Sequence, residues 1–353
     1  MNLLILCRPG FEPEAAAEIA DATARRDISG YPEATRGEGW VRFHAFDDGA
    51  VRGKAISASD LIFARQCVRI LADLPDLDPA DRITPMLDAL RDCGDMRFGE
   101  LIVEHPDSDT ARPLAGLARS FGNALRPALR RAEILSNQPD AGMYCLHVCF
   151  LSSRHALLGL SQPGDHRVWP QGIPRLRVPK HAPSRSAQKL EEALESLMGE
   201  EERAQWLKPG MSAVDLGAAP GGWSFILARR NIHVTAIDNG PLSESVLGTG
   251  LVRHLRADGF TWSPPQPVDW MVCDMVEQPR RVAARMADWF VHGWCRRAIF
   301  NLKLPMKKRY AEVVANLSDF HNRCENAGVP VQTRARQLYH DREEITVLAW
   351  TGR

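Results

Sequence analysis

The chain lacks an excess of charge of either sign: 44 Lys and Arg balance 44 Asp and Glu among 353 residues. A neutral total gives no sign of the strongly basic surface of a small nucleic-acid-binding domain, although a whole-chain sum can hide local asymmetry. No apolar run approaches the roughly 18–20 residues of a membrane-spanning helix. The stretch Leu3–Cys7 has no basic leader and ends at Arg8-Pro9, so it reads as a first β-strand rather than an export signal. The eight cysteines include no Cys-x-x-Cys pair, which argues against a zinc ribbon or a redox dithiol, and no metal site is expected. Cys145 and Cys149 lie in an alternating stretch and read as core thiols. Reduced thiols without an export signal imply a cytoplasmic protein.

What is present suggests two or three domains, at roughly 100–200 residues each. Residues 1–70 and 71–160 read as two small α+β units. In the first, Leu3–Cys7 and Gly39–Phe46 are strands, Pro13–Ala24 is a helix with Glu12, Glu14 and Glu18 favoured by its dipole, and Asp60–Arg65 starts a helix or a strand. Leu71–Pro79 is a Pro/Asp-rich connection. The second unit holds a helix at Arg82–Cys93, a strand at Glu100–Glu104 and a basic helix at Leu114–Ala132, interrupted near Pro127 and carrying Arg119, Arg126, Arg130 and Arg131. Two strands near Tyr144–Phe150 and Arg154–Gly159 close it.

Residues 161–185 carry five prolines, and His166–Leu190 carries six Lys or Arg and no acid. This is a linker or, with Trp169, a nucleic-acid-facing segment. From Ser186 to Arg353 strands alternate with helices. The alternation implies an α/β domain with a parallel or mostly parallel sheet covered on both faces, and its first helix, Ala187–Met198, is expected to be opened by Ser184 or Ser186.

The strongest local pattern is AVDLGAAPGGWSF, residues 213–225. An apolar strand ends in Asp215, Gly217 opens a tight turn, and Gly221-Gly222 lead into a helix. Glycine lets a ligand approach the backbone closely, and a helix start presents free N–H groups. The dinucleotide pattern Gly-x-Gly-x-x-Gly is not met, because Pro220 breaks its spacing, so an NAD-dependent oxidoreductase is disfavoured. The form DLGxxPGG resembles motif I of class I S-adenosylmethionine-dependent methyltransferases, notably the RNA ribose 2′-O branch. Val234–Asp238 is then a strand ending in an acid about 20 residues after the glycine turn, which places a carboxylate at the ribose of a nucleoside. Asp258 is offered to the adenine amino group. Asp274 ends the apolar strand Trp270–Asp274, where ligands of open α/β sheets sit. The Asn-Pro-Pro-aromatic element of base-amine methyltransferases is absent, and Cys273 reads as a core thiol rather than a nucleophile.

A lysine at the end of a buried strand is costly unless used or paired, so Lys303, after the apolar strand Arg297–Leu302, stands out. Lys307, Lys308 and Arg309 read as a solvated or phosphate-binding run. Lys189 lies on the helix before motif I, and Glu343 and Glu344 head a late strand. In order and setting, Lys189, Asp274, Lys303 and Glu344 resemble the Lys-Asp-Lys-Glu tetrad of ribose 2′-O-methyltransferases, with Glu343 the alternative fourth member. The blocks APSRSAQKLEEA, VDLGAAPGGW, WMVCDMVE, FNLKLPMKKRY and ARQLYHDREE are similar to the FtsJ-like family and to the bacterial 23S rRNA cytidine 2′-O-methyltransferases.

That resemblance implies a Rossmann-like C-terminal methyltransferase domain behind ferredoxin-like and THUMP RNA-binding units. It implies S-adenosyl-L-methionine as donor, S-adenosyl-L-homocysteine as product, and naked or early-assembly 23S rRNA as partner. A monomer is expected, since the RNA-binding unit is supplied in cis. The implied donor site comprises Ser186, Asp215, Gly217, Ala219, Pro220, Gly221, Gly222, Asp238, Asp258 and Asp274, and the implied catalytic set is Lys303, Asp274, Lys189 and Glu344.

Lys303 is the expected general base for in-line transfer to a ribose 2′-oxygen. A free lysine has a pKa of about 10.4. Asp274 and Glu344 would raise it; Lys189, a sulfonium and burial would lower it. The balance is expected to leave Lys303 partly neutral in the complex. The competing class is a non-catalytic RNA-binding or assembly protein with a retained nucleoside pocket, and the intact tetrad weighs against it. The basic segments His166–Leu190, Lys303–Arg309 and Arg334–Arg342 flank the proposed site, so RNA affinity is expected to be local and its salt slope shallow.

Overall fold

The structure is a computed structural model that describes residues 2–47, 56–163, 169–177 and 180–352. The chain divides into two compact units, Met1–Pro174 and Arg175–Arg353. No helix among the described residues is long and apolar enough to cross a membrane.

The first unit contains β1 (Asn2–Cys7), α1 (Glu12–Ala24), β2 (Gly30–Ala34), β3 (Trp40–Ala45), β4 (Ala64–Leu74), α2 (Ile83–Asp92), β5 (Phe98–Glu104), α3 (Ala115–Arg131), β6 (Tyr144–Phe150) and β7 (Ala156–Ser161). All seven strands join one sheet in the order β2-β3-β1-β4-β7-β6-β5. Among the described strands of this unit only β5 and β6 pair in parallel. The apolar run of β1 follows from its place between β3 and β4.

The structure goes beyond the sequence reading of this unit at four places. Residues 71–74 are strand, not connection: β4 pairs β1 on one side and β7 on the other, and those ladders override an unpromising composition. Strand β2 escaped notice because Pro32 and Glu33 suit only a sheet edge, and β2 pairs β3 alone. Helix α3 runs unbroken through Pro127. Its buried face, Phe121, Leu125, Ala128 and Leu129, continues past the proline, and packing outweighs one lost backbone hydrogen bond. Glu12 and Glu18, read as favoured by the helix dipole, are buried and held by backbone amides outside the helix. Glu12 accepts from the amides of Gly10, Gly37 and Gly39 at 2.7–3.0 Å. Glu18 accepts from the amides of Ile62 and Phe63, and burial pushes its carboxyl up to about 7.

The expected linker also begins as an anchored strap. Gln66 donates to the carbonyl of Trp169 at 2.9 Å, and the Gln171 amide donates to Glu104, whose other oxygen contacts His147. His166 and Arg167 of the basic segment lie outside the described residues.

The second unit contains α4 (Ser186–Leu197), α5 (Glu200–Trp206), β8 (Ser212–Leu216), α6 (Gly222–Ala228), β9 (His233–Ile237), α7 (Glu244–Leu247), β10 (Val252–Leu255), β11 (Val268–Cys273), α8 (Pro279–Val291), β12 (Cys295–Lys303), α9 (Arg309–Asn326), β13 (Val331–Arg336) and β14 (Glu344–Thr351). The sheet order is β10-β9-β8-β11-β12-β14-β13. The first five strands are parallel, and β14 pairs antiparallel with β12 and β13. Chain order reverses between β8 and β11, and such a switch point opens a crevice beyond the carboxyl ends of the strands. Helices α4 and α6 close one apolar core, built on Leu190, Leu194, Trp223, Ile226 and Trp270.

Candidate active site

The crevice at the switch point is a cavity of about 380 Å³, lined in part by Gly217, Ala219, Asp238, Asp258, Asp274 and Met275. These residues follow β8, β9, β10 and β11, so four strand ends converge on one space. Gly217 has φ +73°, and a Cβ there would lie 2.6 Å from Cγ of Met275. Gly221 has φ +109°, and its Cβ would meet Val246 at 2.8 Å. Both turns therefore need glycine for conformation and for room. We expect Gly217→Val to weaken nucleoside-donor binding about 10–100-fold, from strain of about 1–3 kcal/mol at that backbone; calorimetric titration with S-adenosylmethionine checks this.

The remaining motif residues divide into those that face the cavity and those that support it. Asp238 lines it, and its two oxygens accept from the amides of Ala219 at 2.9 Å and Gly240 at 2.7 Å. Asp258 is exposed at the rim and accepts from the Phe260 amide at 2.9 Å. Pro220, Gly221 and Gly222 are not among the lining residues. A Cβ on Gly222 would collide with the hydroxyls of Ser184 and Ser186, so Gly222 serves the contact between α6 and α4.

Ser186 and Asp215 differ from their expected places. Neither Ser184 nor Ser186 caps α4; their hydroxyls bond each other at 2.7 Å, and the Ser186 carbonyl accepts from the Trp223 indole. Ser186 thus braces the loop and does not line the cavity. Asp215 is 1% exposed beneath the turn, accepts from the Ser224 hydroxyl at 2.7 Å, and presents no carboxylate to the cavity. Burial pushes its carboxyl up to about 7.

The sign of this shift gives a test. Below about pH 4 the folded and unfolded chains both hold the Asp215 proton. Between there and about 7 only the folded chain keeps it, so its contribution to stability is lost as pH rises through that window. Glu18 acts with the same sign. Asp215→Asn should flatten part of the decline in the urea midpoint between pH 5 and 7; an unchanged slope would contradict this account.

Beside the cavity the four tetrad candidates meet. Lys189, on α4, lies 3.5 Å from both carboxylate oxygens of Asp274. Glu344, at the head of β14, contacts Lys189 through Oε1 and Lys303 through Oε2. The register of β12 and β14 places Lys303 opposite Glu344. Glu343 turns outward to Arg309 at 2.8 Å. Two lysine amino groups and two carboxyl groups thus meet in a partly buried cluster. Burial works to lower the pKa of Lys189, but Asp274 and Glu344 outweigh it and hold the group above its ordinary value. Lys303 is the more open lysine, 30% exposed against 16% for Lys189.

Sequence reasoning missed Asn301, which donates to Asp274 Oδ1 at 2.8 Å. A buried amide two positions before Lys303 on the same strand was its only signal. The basic segment Arg334–Arg342 is not an open surface. Arg334 is bidentate to Glu202 and Arg336 is buried, leaving Arg342 exposed. Lys307 and Lys308 are exposed.

Three family models match the chain: the RlmM ferredoxin-like domain over residues 1–68, the N-terminal region of ribosomal RNA large subunit methyltransferase M over 81–162, and the FtsJ-like methyltransferase over 182–293. The chain is 59% identical over 351 residues to the ribosomal RNA large subunit methyltransferase M of Xanthomonas campestris pv. campestris (strain B100), covering 99% of each chain. It is 58% identical over 349 residues to that of Stenotrophomonas maltophilia (strain R551-3), covering 99% of this chain and 97% of that one. Among solved structures, magnesium protoporphyrin IX methyltransferase from Synechocystis PCC 6803 with bound SAH is 15% identical at a TM-score of 0.34, over 47% of this chain and 84% of that one.

Proposed function

The chain belongs to the family of ribosomal RNA large subunit methyltransferase M, which makes it an S-adenosylmethionine-dependent ribosomal RNA methyltransferase, and from that premise we propose that it methylates the 2′-hydroxyl of a cytidine in 23S rRNA. The observation that carries this reading is the meeting of Lys189, Asp274, Lys303 and Glu344 beside a cavity that Asp274 also lines. A hydroxyl acceptor must shed a proton as its oxygen is alkylated, and this cluster supplies a basic nitrogen held in place by carboxylates.

The cavity suits the donor: glycine turns give close backbone approach, and Asp238 and Asp258 offer acceptors for a ribose and an adenine amino group. Bound S-adenosylmethionine supplies an electrophilic methyl group on a sulfonium. Ala219 and Pro220 would shape the loop at the donor, Ser186 and Gly222 set that loop against α4, and Gly221 sets it against Val246. In the complex, the neutral form of Lys303, favoured by the bound sulfonium and the Lys189 ammonium, receives the 2′-hydroxyl proton on Nζ. Glu344 holds Lys303, while Lys189 stays an ammonium between Asp274 and Glu344 and fixes both carboxylates. Orientation of this kind contributes several kcal/mol, up to about 7–11, to lowering a barrier.

In this reading the N-terminal unit captures RNA, with residues 1–70 ferredoxin-like and 71–160 THUMP-like, and the enzyme acts as a cytoplasmic monomer on naked or early-assembly rRNA. The test is transfer of labelled methyl from S-adenosylmethionine to 23S rRNA, followed by nuclease digestion and mass spectrometry. A 2′-O-methylcytidine is expected. A base-methylated product, or none, overturns the reading. Exposed Arg175, Arg177, Lys180, Arg185, Lys307 and Lys308 supply a handful of phosphate contacts, so the log–log salt slope of RNA binding should be shallow, about −0.7 per contacted phosphate on single strands.

A further inference from the structure

Behind the tetrad lies a buried polar chain that the reaction as described does not use. Asn301 on β12, Thr346 opposite it on β14, and Asp341 in the preceding loop are all fully buried. Thr346 Oγ1 lies 2.8 Å from Asn301 Oδ1 and 2.9 Å from Asp341 Oδ2. Asn301 Nδ2 lies 2.8 Å from Asp274 Oδ1.

Proton counting gives this chain a direction. Asp274 faces the Lys189 ammonium and accepts, so the Asn301 amide nitrogen must point toward it. The Asn301 carbonyl then faces Thr346 and needs a donor. Thr346 has one hydroxyl hydrogen, and it goes to Asn301. The short contact between Thr346 and Asp341 therefore needs a hydrogen from the Asp341 carboxyl. Its surroundings favour that state: burial pushes the Asp341 carboxyl well up, Glu344 and Glu192 push the same way, and Lys189 and the Leu338 amide oppose them. Hydrogen bonds then run one way, Asp341 to Thr346 to Asn301 to Asp274, and a chain of this kind strengthens each member.

We infer that Asn301 is a positioning residue for methyl transfer, holding the Asp274 carboxylate against Lys189 through a one-way hydrogen-bond chain that starts at Asp341 and passes through Thr346. The inference rests on the tetrad reading above. Asp274 holds a tetrad lysine beside the donor cavity, so a small rotation of its carboxylate misplaces that lysine. Asn301 donates to Oδ1, and Lys189 stands 3.5 Å from both oxygens of the carboxylate held in this way. This explains a buried amide in the apolar strand that delivers Lys303.

Thr346→Val removes the hydroxyl at nearly constant volume in a strand that favours branched side chains. Thr346→Ser keeps the hydroxyl. We expect the valine variant to lower the single-turnover rate by about 10–100-fold, the scale of a misplaced reacting group. Its KM for RNA and Kd for S-adenosylmethionine should stay near wild type, and serine should restore most of the rate. Asn301→Ala should lower the rate at least as far, with thermal unfolding recorded for each variant. A wild-type rate in Thr346→Val or Asn301→Ala overturns the inference. So does a slow variant whose donor Kd and RNA KM rise in proportion, because that reports general damage. A base-methylated product formed at a rate still sensitive to Thr346 would refute the ribose assignment and leave the positioning chain standing.

Discussion

Lys303→Ala is expected to slow methyl transfer by about 10²–10⁴-fold, the span of a lost general base. Donor binding should be nearly unchanged, because Lys303 is not among the cavity-lining residues. Single-turnover transfer of labelled methyl and calorimetric titration with S-adenosylmethionine measure the two quantities separately. Lys303→Arg sharpens the result. Arginine keeps the positive charge and the carboxylate partner but cannot act as a base in a protein. If Lys303 only supplied charge, arginine would rescue. The proton-accepting role requires that arginine stay inactive, and near-normal turnover in either variant would sink it.

Glu344→Ala should be almost as damaging, and in two ways. Glu344 is 5% exposed and is the carboxylate shared by Lys189 and Lys303. Its removal leaves two neighbouring ammonium groups with Asp274 as the remaining tetrad acid. Breaking a buried pair from one side costs about 3–5 kcal/mol of stability. Both lysines also lose their orientation, so the transfer rate should fall by about 10²-fold or more. Glu343→Ala is the matched control. Glu343 is 54% exposed and pairs at 2.8 Å with Arg309, and removing a carboxylate that faces solvent costs about 0–1 kcal/mol. Its variant should unfold and turn over close to wild type. If Glu343→Ala proved the more damaging, the fourth tetrad position would have to be reassigned.

This contrast shows where sequence reasoning stops. Glu343 and Glu344 are adjacent acids in the same chemical setting. Successive strand side chains point to opposite faces, and pairing register decides which face is which. The antiparallel register that sets Lys303 opposite Glu344 makes the choice, and neither strand contains it alone. Asp215 illustrates the opposite error. It heads a glycine turn and so looked like a ligand contact, yet it is sealed under that turn against Ser224. The N-terminal sheet adds a third case. Composition sets two units apart near residue 70, and β4 carries one continuous sheet across that point, a pairing that neither unit's sequence contains.

By itself the sequence determined the α/β character of the C-terminal half, the glycine turn after β8, the acids that follow β9 and β11, and the order of the four tetrad candidates. These are local or sequential properties, set by periodicity, turn chemistry and spacing along the chain. The tertiary structure alone decided which acids face the cavity, which glutamate joins the two lysines, and that Asp341, Thr346 and Asn301 stand behind Asp274. Those features depend on side-chain direction and on contacts between strands far apart in sequence, which only the assembled sheet supplies. The neutral charge total belongs with them. Arg334 is spent on Glu202 while Lys307 and Lys308 remain exposed, because pairing in three dimensions, and not the sum of charges, leaves a cation open to solvent.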